Sequence, residues 1–310
     1  MALTTILGAG GPISNELTKI LSVQGTPLRL VSRNPKPIPG AETLAADISD
    51  PQQAIKAVAG SSIVHLLIGL QYETKLWQEL WPRIMANTIE ACKRAEAKLV
   101  FFDNVYMYGK VDGPMTEQTP NAPVSRKGEV RAEIATMLMN EVKARKLTAM
   151  IARSADFYGP RDANHGMANV LVFEPFAKGK KGQWLINDSL PHSFTFTPDG
   201  ARGVAMLAER DSAWNQVWHL PTASPTLTGK QFIQTAAQAF EVRPKFRILN
   251  RGMVKVGGWF NPVVGELYEM LYQNDSPYIF DSTKFAREFG FAGTPYSHGI
   301  RIAADSYRNP

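Results

Sequence analysis

Cysteine is almost absent from this chain, which has one among 310 residues. A single thiol, Cys92, excludes an internal disulfide and predicts a reducing compartment, for which we expect the cytoplasm. We interpret Cys92 as a small packed residue of a helix. Long hydrophobic runs are also missing: no stretch of about 18 uncharged apolar residues occurs, so no membrane span is predicted. Strand-like sequence begins almost at the N-terminus, which leaves no room for a signal peptide.

Positive charge is in moderate excess but has no organised pattern. The net charge is +6, and the densest basic cluster, Lys178, Lys180 and Lys181, lies in a glycine-containing turn that we interpret as a solvated loop. Nucleic-acid binding would require a basic stripe with interleaved aromatics, which is lacking, so no nucleic-acid partner is expected. A mild basic excess suits small anionic ligands. The five histidines lack metal-ligand spacing, so we predict no metal.

A glycine cluster near the start of the chain is the strongest local pattern. The apolar run ending at Leu7 enters Gly8, Gly10 and Gly11, and a helical pattern follows. Strand, tight turn and helix together allow backbone N–H groups at a helix N-terminus to bind a pyrophosphate. In this interpretation Gly8 permits the turn and Gly11 allows close approach of the phosphates. A plain strand–helix turn is the alternative, because such motifs also occur without a ligand.

The first half of the chain alternates short apolar runs with helical segments. Runs that stay apolar throughout are typical of parallel strands covered by helices on both faces. The predicted strands after the first are 28–32, 63–67, 99–103 and 149–152, and the predicted helices include 51–58, 77–95 and 129–145. This order predicts an α/β fold with a doubly wound parallel Rossmann sheet.

The second half loses this alternation and predicts a small C-terminal lobe. We expect residues 1–153, completed by about 194–220, to form the nucleotide-binding domain. Residues 154–193 and 221–310 would form a small substrate-binding lobe. A ligand would then bind in the crevice at the carboxyl ends of the strands.

The residue after the second strand predicts the preferred cofactor. Arg33 stands about 20 residues beyond the glycine turn, where an acidic residue would hold the ribose of NAD and an arginine accommodates the 2′-phosphate of NADP. A guanidinium pairs bidentately with phosphate, and Ser32 adds a hydroxyl donor. The alternative is an exposed arginine at a strand end.

Several short motifs follow one another in an order that resembles a known family. They are the glycine turn, Asp47, the segments 64–67, 105–109, 157–160 and 281–284, and Asn87 within a helix. Over nearly the whole chain this order is similar to the extended short-chain dehydrogenase/reductases of the NAD-dependent epimerase/dehydratase type. Each motif is modest, but their shared order is hard to obtain by chance.

The resemblance implies a set of cofactor-binding residues. Asp47 and Ile48 would contact the adenine, Leu67, Ile68 and Gly69 would line the ribose and pyrophosphate, and Asp103 with Asn104 would end a strand beneath the nicotinamide. Asn87 would tie the central helix to the sheet, or be a satisfied structural amide. The full set is Gly8, Gly10, Gly11, Pro12, Ile13, Ser32, Arg33, Asp47, Ile48, Leu67, Ile68, Gly69, Asn87 and Asp103.

The catalytic residues of that family are missing. Asn104 stands where the family has serine or threonine, and it cannot serve as a hydroxyl relay. The tyrosine and lysine of the family's Tyr-x-x-x-Lys pair correspond to Ser125 and Glu129. A serine is far too weakly acidic to replace a phenol, and a carboxylate does not lower the pKa of its neighbour. The usual route of carbonyl reduction is therefore in doubt.

Other residues offer partial replacements. Lys127 would reach the ribose if its helix started late, and Tyr106 would offer a phenol from the loop after the strand that ends at Asp103. Tyr108 is more typical of a structural residue, and Tyr72 either faces the substrate or is a surface aromatic. His192 falls where nucleotide-sugar enzymes tend to carry an arginine for the diphosphate, which argues against such a substrate.

The C-terminal half also contains an aromatic stretch between Val254 and Tyr272. Aromatic and methionine positions at helical spacing are more often core than ligand contacts, although some would suit an apolar substrate pocket. Glycines interrupt the stretch too often for a convincing membrane-surface helix, so no membrane partner is expected.

Two functions of different classes remain. The first is an NADP-dependent oxidoreductase acting on a small, largely apolar carbonyl or conjugated alkene without the usual tyrosine–lysine pair, and we favour it. The second is a non-catalytic NADP(H)-binding regulatory protein. NADP is preferred over NAD as cofactor, a small molecule is the expected partner, and a homodimer is possible.

Overall fold

The structure, a computed structural model, describes residues 2–161 and 166–308. Its strands are β1 (Leu3–Leu7), β2 (Leu28–Ser32), β3 (Ala41–Ala45), β4 (Ser61–Leu66), β5 (Lys98–Asp103), β6 (Ala149–Arg153), β7 (Asp156–Tyr158), β8 (Gly182–Leu185), β9 (Phe194–Phe196), β10 (Val217–His219) and β11 (Phe246–Leu249). Its α-helices are α1 (Pro12–Val23), α2 (Pro51–Val58), α3 (Thr74–Ala95), α4 (Arg126–Lys143), α5 (Glu174–Ala177), α6 (Thr197–Ala208), α7 (Gly229–Ala239), α8 (Arg251–Phe260), α9 (Pro262–Leu267), α10 (Thr283–Phe289) and α11 (Tyr296–Arg308).

A seven-stranded sheet has the order β10-β6-β5-β4-β1-β2-β3. Every pairing from β3 across to β6 is parallel. Strand β1 lies between β2 and β4, so the chain runs to one side of β1 first and to the other side later. Because of this reversal, the loops that follow β1 and β4 diverge and leave a crevice at the carboxyl ends of these strands. This arrangement confirms the predicted doubly wound Rossmann sheet.

Most predicted elements of the first half are present with small changes at their ends. The strand 28–32 and the helix 51–58 have the predicted limits. The prediction missed β3, since this edge strand is half-exposed and lacks an apolar run. Helix α4 begins at Arg126, not at Glu129. Its first turn contains Arg126 and Lys127, and Lys127 is buried.

The chain divides into two compact units, each built from separate segments. The first contains Met1–Met107, Lys127–Arg153 and Ala201–Trp218. Its largest core cluster combines residues of the sheet with the inner faces of α3 and α4, such as Val64, Phe101, Ile84 and Ile134. Burying each such side chain contributes about 1.5–3 kcal/mol, so the cluster fixes both helices against the strands whose carboxyl ends carry the candidate site.

The second unit contains Tyr108–Arg126, Ser154–Gly200 and His219–Pro310. Two parallel pairs, β7 with β9 and β8 with β11, lie within it. Its core is aromatic: the ring of Tyr158 lies 5.3 Å from Phe196, 5.7 Å from Phe232 and 6.0 Å from Tyr296, measured between centroids. Burial raises the pKa of Tyr158 well above its usual value. The role in substrate binding that the sequence predicts for this half of the chain stays a prediction.

Candidate functional site

The glycine turn follows β1 and is built as the sequence predicts. Gly8 has a φ of +103°, and a Cβ at this position would lie 2.6 Å from backbone atoms of Leu67 and Ile68. Gly10 also has a positive φ, +97°, but it faces open space. The N–H of Gly8 donates to the carbonyl of Val31 at 2.9 Å. Only glycine therefore allows the turn to pack directly on the segment that follows β4.

The N-terminus of α1 follows this turn without a side-chain cap from any described residue. Gly11 is the N-cap residue in an extended conformation, Pro12 occupies the first turn, and no acidic residue lies there. Ile13 and Ser14 are buried, and the Ser14 hydroxyl donates to the carbonyl of Gly11 at 2.9 Å. Such a helix end presents backbone N–H groups and the positive end of the helix dipole to an anion. The residues present therefore fit a dinucleotide pyrophosphate.

The predicted adenosine side of the site lies at the ends of β2 and β3. Ser32 is half-buried, and Arg33 is exposed and forms no ion pair within residues 2–161 and 166–308. Asp47 is exposed, and its Oδ1 accepts hydrogen bonds from the Ser49 N–H at 2.9 Å and the Ser49 hydroxyl at 2.8 Å. These bonds, with a smaller contribution from the positive charge of Arg33, lower the pKa of Asp47. Asp47 therefore presents a charged carboxylate beside a cation that is available to a phosphate.

A side-chain bond connects α3 to this corner of the sheet. The amide of Asn87 donates to the carbonyl of Ile48 at 3.0 Å, and Ile48 is buried. After β4, Leu67 is buried, Ile68 is half-buried and Gly69 is exposed. The predicted cofactor residues thus lie on consecutive strand ends of one sheet.

Asp103, at the end of β5, belongs to a buried ion cluster. Its side chain is 0% exposed. Oδ1 accepts from the Nε of Arg131 at 2.8 Å and lies 2.7 Å from the Nη2 of Arg131, while Oδ2 lies 3.5 Å from the Nε of Arg153. Two guanidinium groups therefore face the Asp103 carboxylate in this cluster.

Arg131 also contacts three aromatic rings. Its guanidinium carbon lies 4.5 Å from the ring centroid of Trp81, 5.2 Å from Phe101 and 5.6 Å from Trp77. These cation–π contacts, together with Asp103, offset the cost of burying the charge. Arg131 was not predicted from the sequence. The signal that would have found it is its position four residues after Lys127, since residues at that spacing share one helix face.

Lys127 is buried in the first turn of α4. It is 0% exposed, its ammonium donates to the Thr74 hydroxyl at 2.7 Å, and it lies 4.6 Å from the ring centroid of Tyr72. The expectation that its helix starts late was wrong, because tertiary contacts hold the charged first turn in place. Lys127 and Arg131 thus form a cationic pair with the spacing of the family's Tyr-x-x-x-Lys.

Ser125 and Glu129, which correspond in sequence to the tyrosine and lysine of the family's Tyr-x-x-x-Lys pair, have different environments. Ser125 is 5% exposed and precedes α4. Glu129 is exposed, since it lies about 200° around the helix from the buried Lys127. The helix register therefore directs Glu129 to solvent and the cations at positions 127 and 131 to the interior.

The loop after β5 carries the two other predicted catalytic residues. Asn104 Oδ1 accepts from the Tyr106 N–H at 3.0 Å, and the Asn104 N–H donates to Asp103 at 2.9 Å. The ring of Tyr106 stacks on Trp77 with centroids 6.2 Å apart. Because Asn104 Oδ1 is engaged in this turn, its amide can act toward a ligand chiefly as a donor.

Tyr108 belongs to a buried network of the second unit. Its hydroxyl lies 2.7 Å from Nε2 of His219, and Nδ1 of His219 lies 2.8 Å from the carbonyl of Asp281. A carbonyl accepts only, so Nδ1 carries the proton and Nε2 accepts from the Tyr108 hydroxyl. This network supports the structural interpretation of Tyr108.

His192 is likewise held by its surroundings. It is 3% exposed, its Nε2 lies 2.8 Å from Asp156 Oδ2, and its ring stacks on Tyr278 with centroids 4.3 Å apart.

Cys92 is buried, and burial raises the pKa of its thiol to about 12. This environment agrees with the interpretation of Cys92 as a small packed residue.

No group of three or more metal-ligating side chains occurs in 2–161 and 166–308. None of the helices described there combines the length and apolar character needed to cross a membrane.

A doubly wound sheet with an uncapped helix after a glycine turn defines a nucleotide-binding protein of the Rossmann class. The sequence of residues 4–219 matches the family model "NAD dependent epimerase/dehydratase family". The chain therefore belongs to the NAD-dependent epimerase/dehydratase family, a family of NAD(P)-dependent enzymes of the oxidoreductase type.

Solved structures of low sequence identity share the fold. The UDP-glucose 4-epimerase of Thermus thermophilus, in complex with NAD, has a TM-score of 0.79 and 17% identity, covering 99% of each chain. The dTDP-glucose 4,6-dehydratase of Streptomyces venezuelae, a double mutant, has a TM-score of 0.81 and 15% identity, covering 99% of this chain and 97% of that chain. No curated protein matches the sequence.

Proposed function

We propose that the protein is an NADP-dependent oxidoreductase acting on a small, largely apolar carbonyl or conjugated alkene. The observation that carries the proposal is the glycine turn, packed on the end of β4, with an exposed Arg33 at the end of β2. Arginine at this place suits a 2′-phosphate, for which it provides a bidentate, charge-assisted partner.

The cofactor is assigned to residues of the first unit. Gly8, Gly10, Gly11, Pro12 and Ile13 would hold the pyrophosphate at the N-terminus of α1. Arg33 and Ser32 would hold the 2′-phosphate, Asp47 and Ile48 the adenine, and the segment 67–69 the ribose, with Asn87 fixing Ile48. When bound, the nicotinamide supplies a hydride donor or acceptor.

The proton side of the reaction is assigned to residues around Asn104. The side-chain amide of Asn104 would donate a hydrogen bond to the substrate oxygen, and Tyr106 would offer a hydroxyl on the same loop. The buried ammonium of Lys127 would provide the positive charge that the family obtains from its lysine. Conjugate reduction needs less proton donation from the protein than carbonyl reduction, which is why an alkene conjugated to a carbonyl suits this site.

Cofactor preference is tested by titration calorimetry of the wild type and Arg33→Ala with NADP⁺ and NAD⁺. A charge-assisted hydrogen bond is worth about 1.5–3 kcal/mol, so we expect the wild type to prefer NADP⁺ by roughly tenfold or more. The variant should lose this preference with its NAD⁺ affinity unchanged. Equal affinities of the wild type for both cofactors would contradict the assignment.

Catalysis is tested by following NADPH consumption with aldehydes, quinones and enones. Turnover of an enone or apolar aldehyde supports the oxidoreductase. Tight NADPH binding without turnover of any of them would favour the second candidate, a non-catalytic NADP(H)-binding regulatory protein. That candidate is favoured by one observation, the absence of a phenol at the Ser125 position.

A further inference from the structure

Helices α8 and α9 expose an unusual amount of apolar surface in the second unit. Trp259 is 74% exposed and Phe260 84%, and Met253, Val256 and Val263 are each close to half-exposed. Trp259 and Phe260 end α8, and Val263 lies in the first turn of α9. The two helices, residues 251–267, are called the apolar hairpin below. Contiguous exposed apolar surface of this kind marks an interaction site.

Glycines hold the apolar hairpin together and do not interrupt it. Helix α8 continues through Gly257 and Gly258 to Phe260. A Cβ on Gly258 would lie 2.7 Å from the Cα of Gly265, so the two helices approach closely at these residues. The reason given above against a membrane-surface helix therefore does not hold for the folded chain.

The exposed apolar and basic residues of α8 lie on different parts of the helix surface. At about 100° per residue, Trp259, Val256, Phe260 and Met253 form one continuous apolar arc. Arg251 and Lys255 flank this arc on one side; Lys255 is exposed, and Arg251 is ion-paired with Asp275. Apolar residues beside a basic flank are the pattern of helices that lie in a membrane interface.

Further positive charge lies on the strand pair that leads into the hairpin. Lys245 and Arg247 are exposed at β11, and the carbonyl of Lys245 accepts from the N–H of Gly182 at 2.9 Å. This bond places the exposed Lys180 and Lys181 beside Lys245. We call these four cations the basic ribbon. No acidic residue occurs from 242 to 265, so the segment attracts a negatively charged surface.

We propose that the second unit binds the surface of an anionic lipid bilayer through the apolar hairpin, with the basic ribbon contacting the headgroups. Trp259, Phe260 and Val263 insert at the level of the headgroups, where aromatic rings partition well. A second copy of this chain is a poorer occupant, because symmetric pairing of this surface would bring two basic segments of like charge together.

Sedimentation with vesicles of phosphatidylcholine, with and without phosphatidylserine, tests the proposal on the full chain. The wild type should sediment with the phosphatidylserine vesicles, and less so at high salt. Trp259→Ser/Phe260→Ser should weaken binding by roughly tenfold or more, because it removes the inserted apolar area. Lys255→Ser and Arg247→Ser should each weaken it about fivefold, the effect of one charge near an anionic surface.

Val23→Ser is the matched control. Val23 is 91% exposed at the end of α1 and belongs to the first unit, so its replacement should leave vesicle binding unchanged. Thermal unfolding should show that all variants are folded, since every substituted side chain is exposed.

Two results would overturn the proposal. One is wild-type binding to phosphatidylserine vesicles that is absent or unaffected by Trp259→Ser/Phe260→Ser. The other is a dimer in analytical ultracentrifugation without vesicles that this double variant dissociates, which would make the hairpin an interface between copies of this chain. Neither result depends on NADP binding, so the proposed function is tested separately.

Discussion

One carboxylate, Asp103, shapes the chemistry at the end of β5. The residue after Asp103 is serine or threonine in the family, whereas here it is Asn104. The Asp103 carboxylate itself is ion-paired with Arg131 and Arg153. One oxygen of this carboxylate pairs with Arg131 and the other lies near Arg153, so Asp103 connects the end of β5 to α4 and β6. The proposed donors to the substrate are therefore Asn104 and Tyr106, with Lys127 supplying positive charge.

We predict that Lys127, not Glu129, matters for catalysis. In a turnover assay, Lys127→Met should lower kcat by about 10²–10³-fold, the range for losing a group that stabilises the transition state electrostatically. Glu129→Gln and Ser125→Ala should change kcat far less, because the first is exposed and the second is too weakly acidic.

Tyr106→Phe is the matched comparison for these variants, because it removes only the hydroxyl of the proposed replacement phenol. Thermal unfolding and NADP⁺ affinity of Lys127→Met separate lost catalysis from lost folding or binding. A hundredfold fall of kcat in Ser125→Ala with unchanged NADP⁺ affinity would contradict this view.

Because His65 is buried, we predict that the free energy of unfolding falls in acid. It is 1% exposed in β4, and burial lowers its pKa from 6.5 to about 4. Between these two pH values the unfolded chain binds a proton that the folded chain does not. The free energy of unfolding therefore falls as the pH drops from 6.5 to about 4, by ~3 kcal/mol from this residue.

Urea unfolding of the wild type and His65→Leu at neutral pH and near pH 4.5 measures this contribution. The difference between the two pH values should be smaller in the variant by ~2–3 kcal/mol, because leucine does not titrate. Equal pH dependence in both proteins would show that His65 is not the group responsible.

At the scale of elements, helix register decides which charged side chains are buried. Helix α4 buries Lys127 and Arg131 on one face and leaves Glu129 in solvent. Helix α3 supplies Thr74 to Lys127 and Asn87 to Ile48 from its two halves. These two helices thus contact both the predicted adenosine side of the sheet and the end of β5.

The glycine turn between β1 and α1 allows a direct test of close packing. Gly8→Ala should destabilise the protein by about 3 kcal/mol or more, because it combines a positive φ with a clash against the backbone of Leu67 and Ile68. Gly10→Ala should cost only about 1–2 kcal/mol, because it has a similar φ but open space around it. Chemical denaturation of both variants measures the difference. Equal losses would mean that the contact with Leu67 and Ile68 is not tight.

At the scale of the whole molecule, each unit is assembled from segments that are distant in the sequence. The stretch 108–126 belongs to the second unit, although the chain on both sides of it belongs to the first. The chain also returns to the first unit at 201–218, which supplies part of β10 at the edge of the sheet. A homodimer stays a prediction.

The sequence by itself determined the sheet class and the glycine turn, because both depend on local order. Continuous apolar runs, helical periodicity and glycines before a helix are readable without tertiary contacts. The position of Arg33 after β2 also follows from the chain order, and its role toward a 2′-phosphate stays a prediction. The family resemblance came from motifs in sequence.

Only the tertiary structure decided which charged residues are buried. The spacing of four residues places Lys127 and Arg131 on one face of α4 and Glu129 on another, but it does not reveal which face is buried. Burial of a cation depends on partners such as Thr74 and Asp103 from other elements. The glycines of α8 predicted an interrupted helix, and the fold uses them for a close helix contact with Gly265. Burial and close approach are properties of segments that meet in space, so the order of residues alone does not fix them.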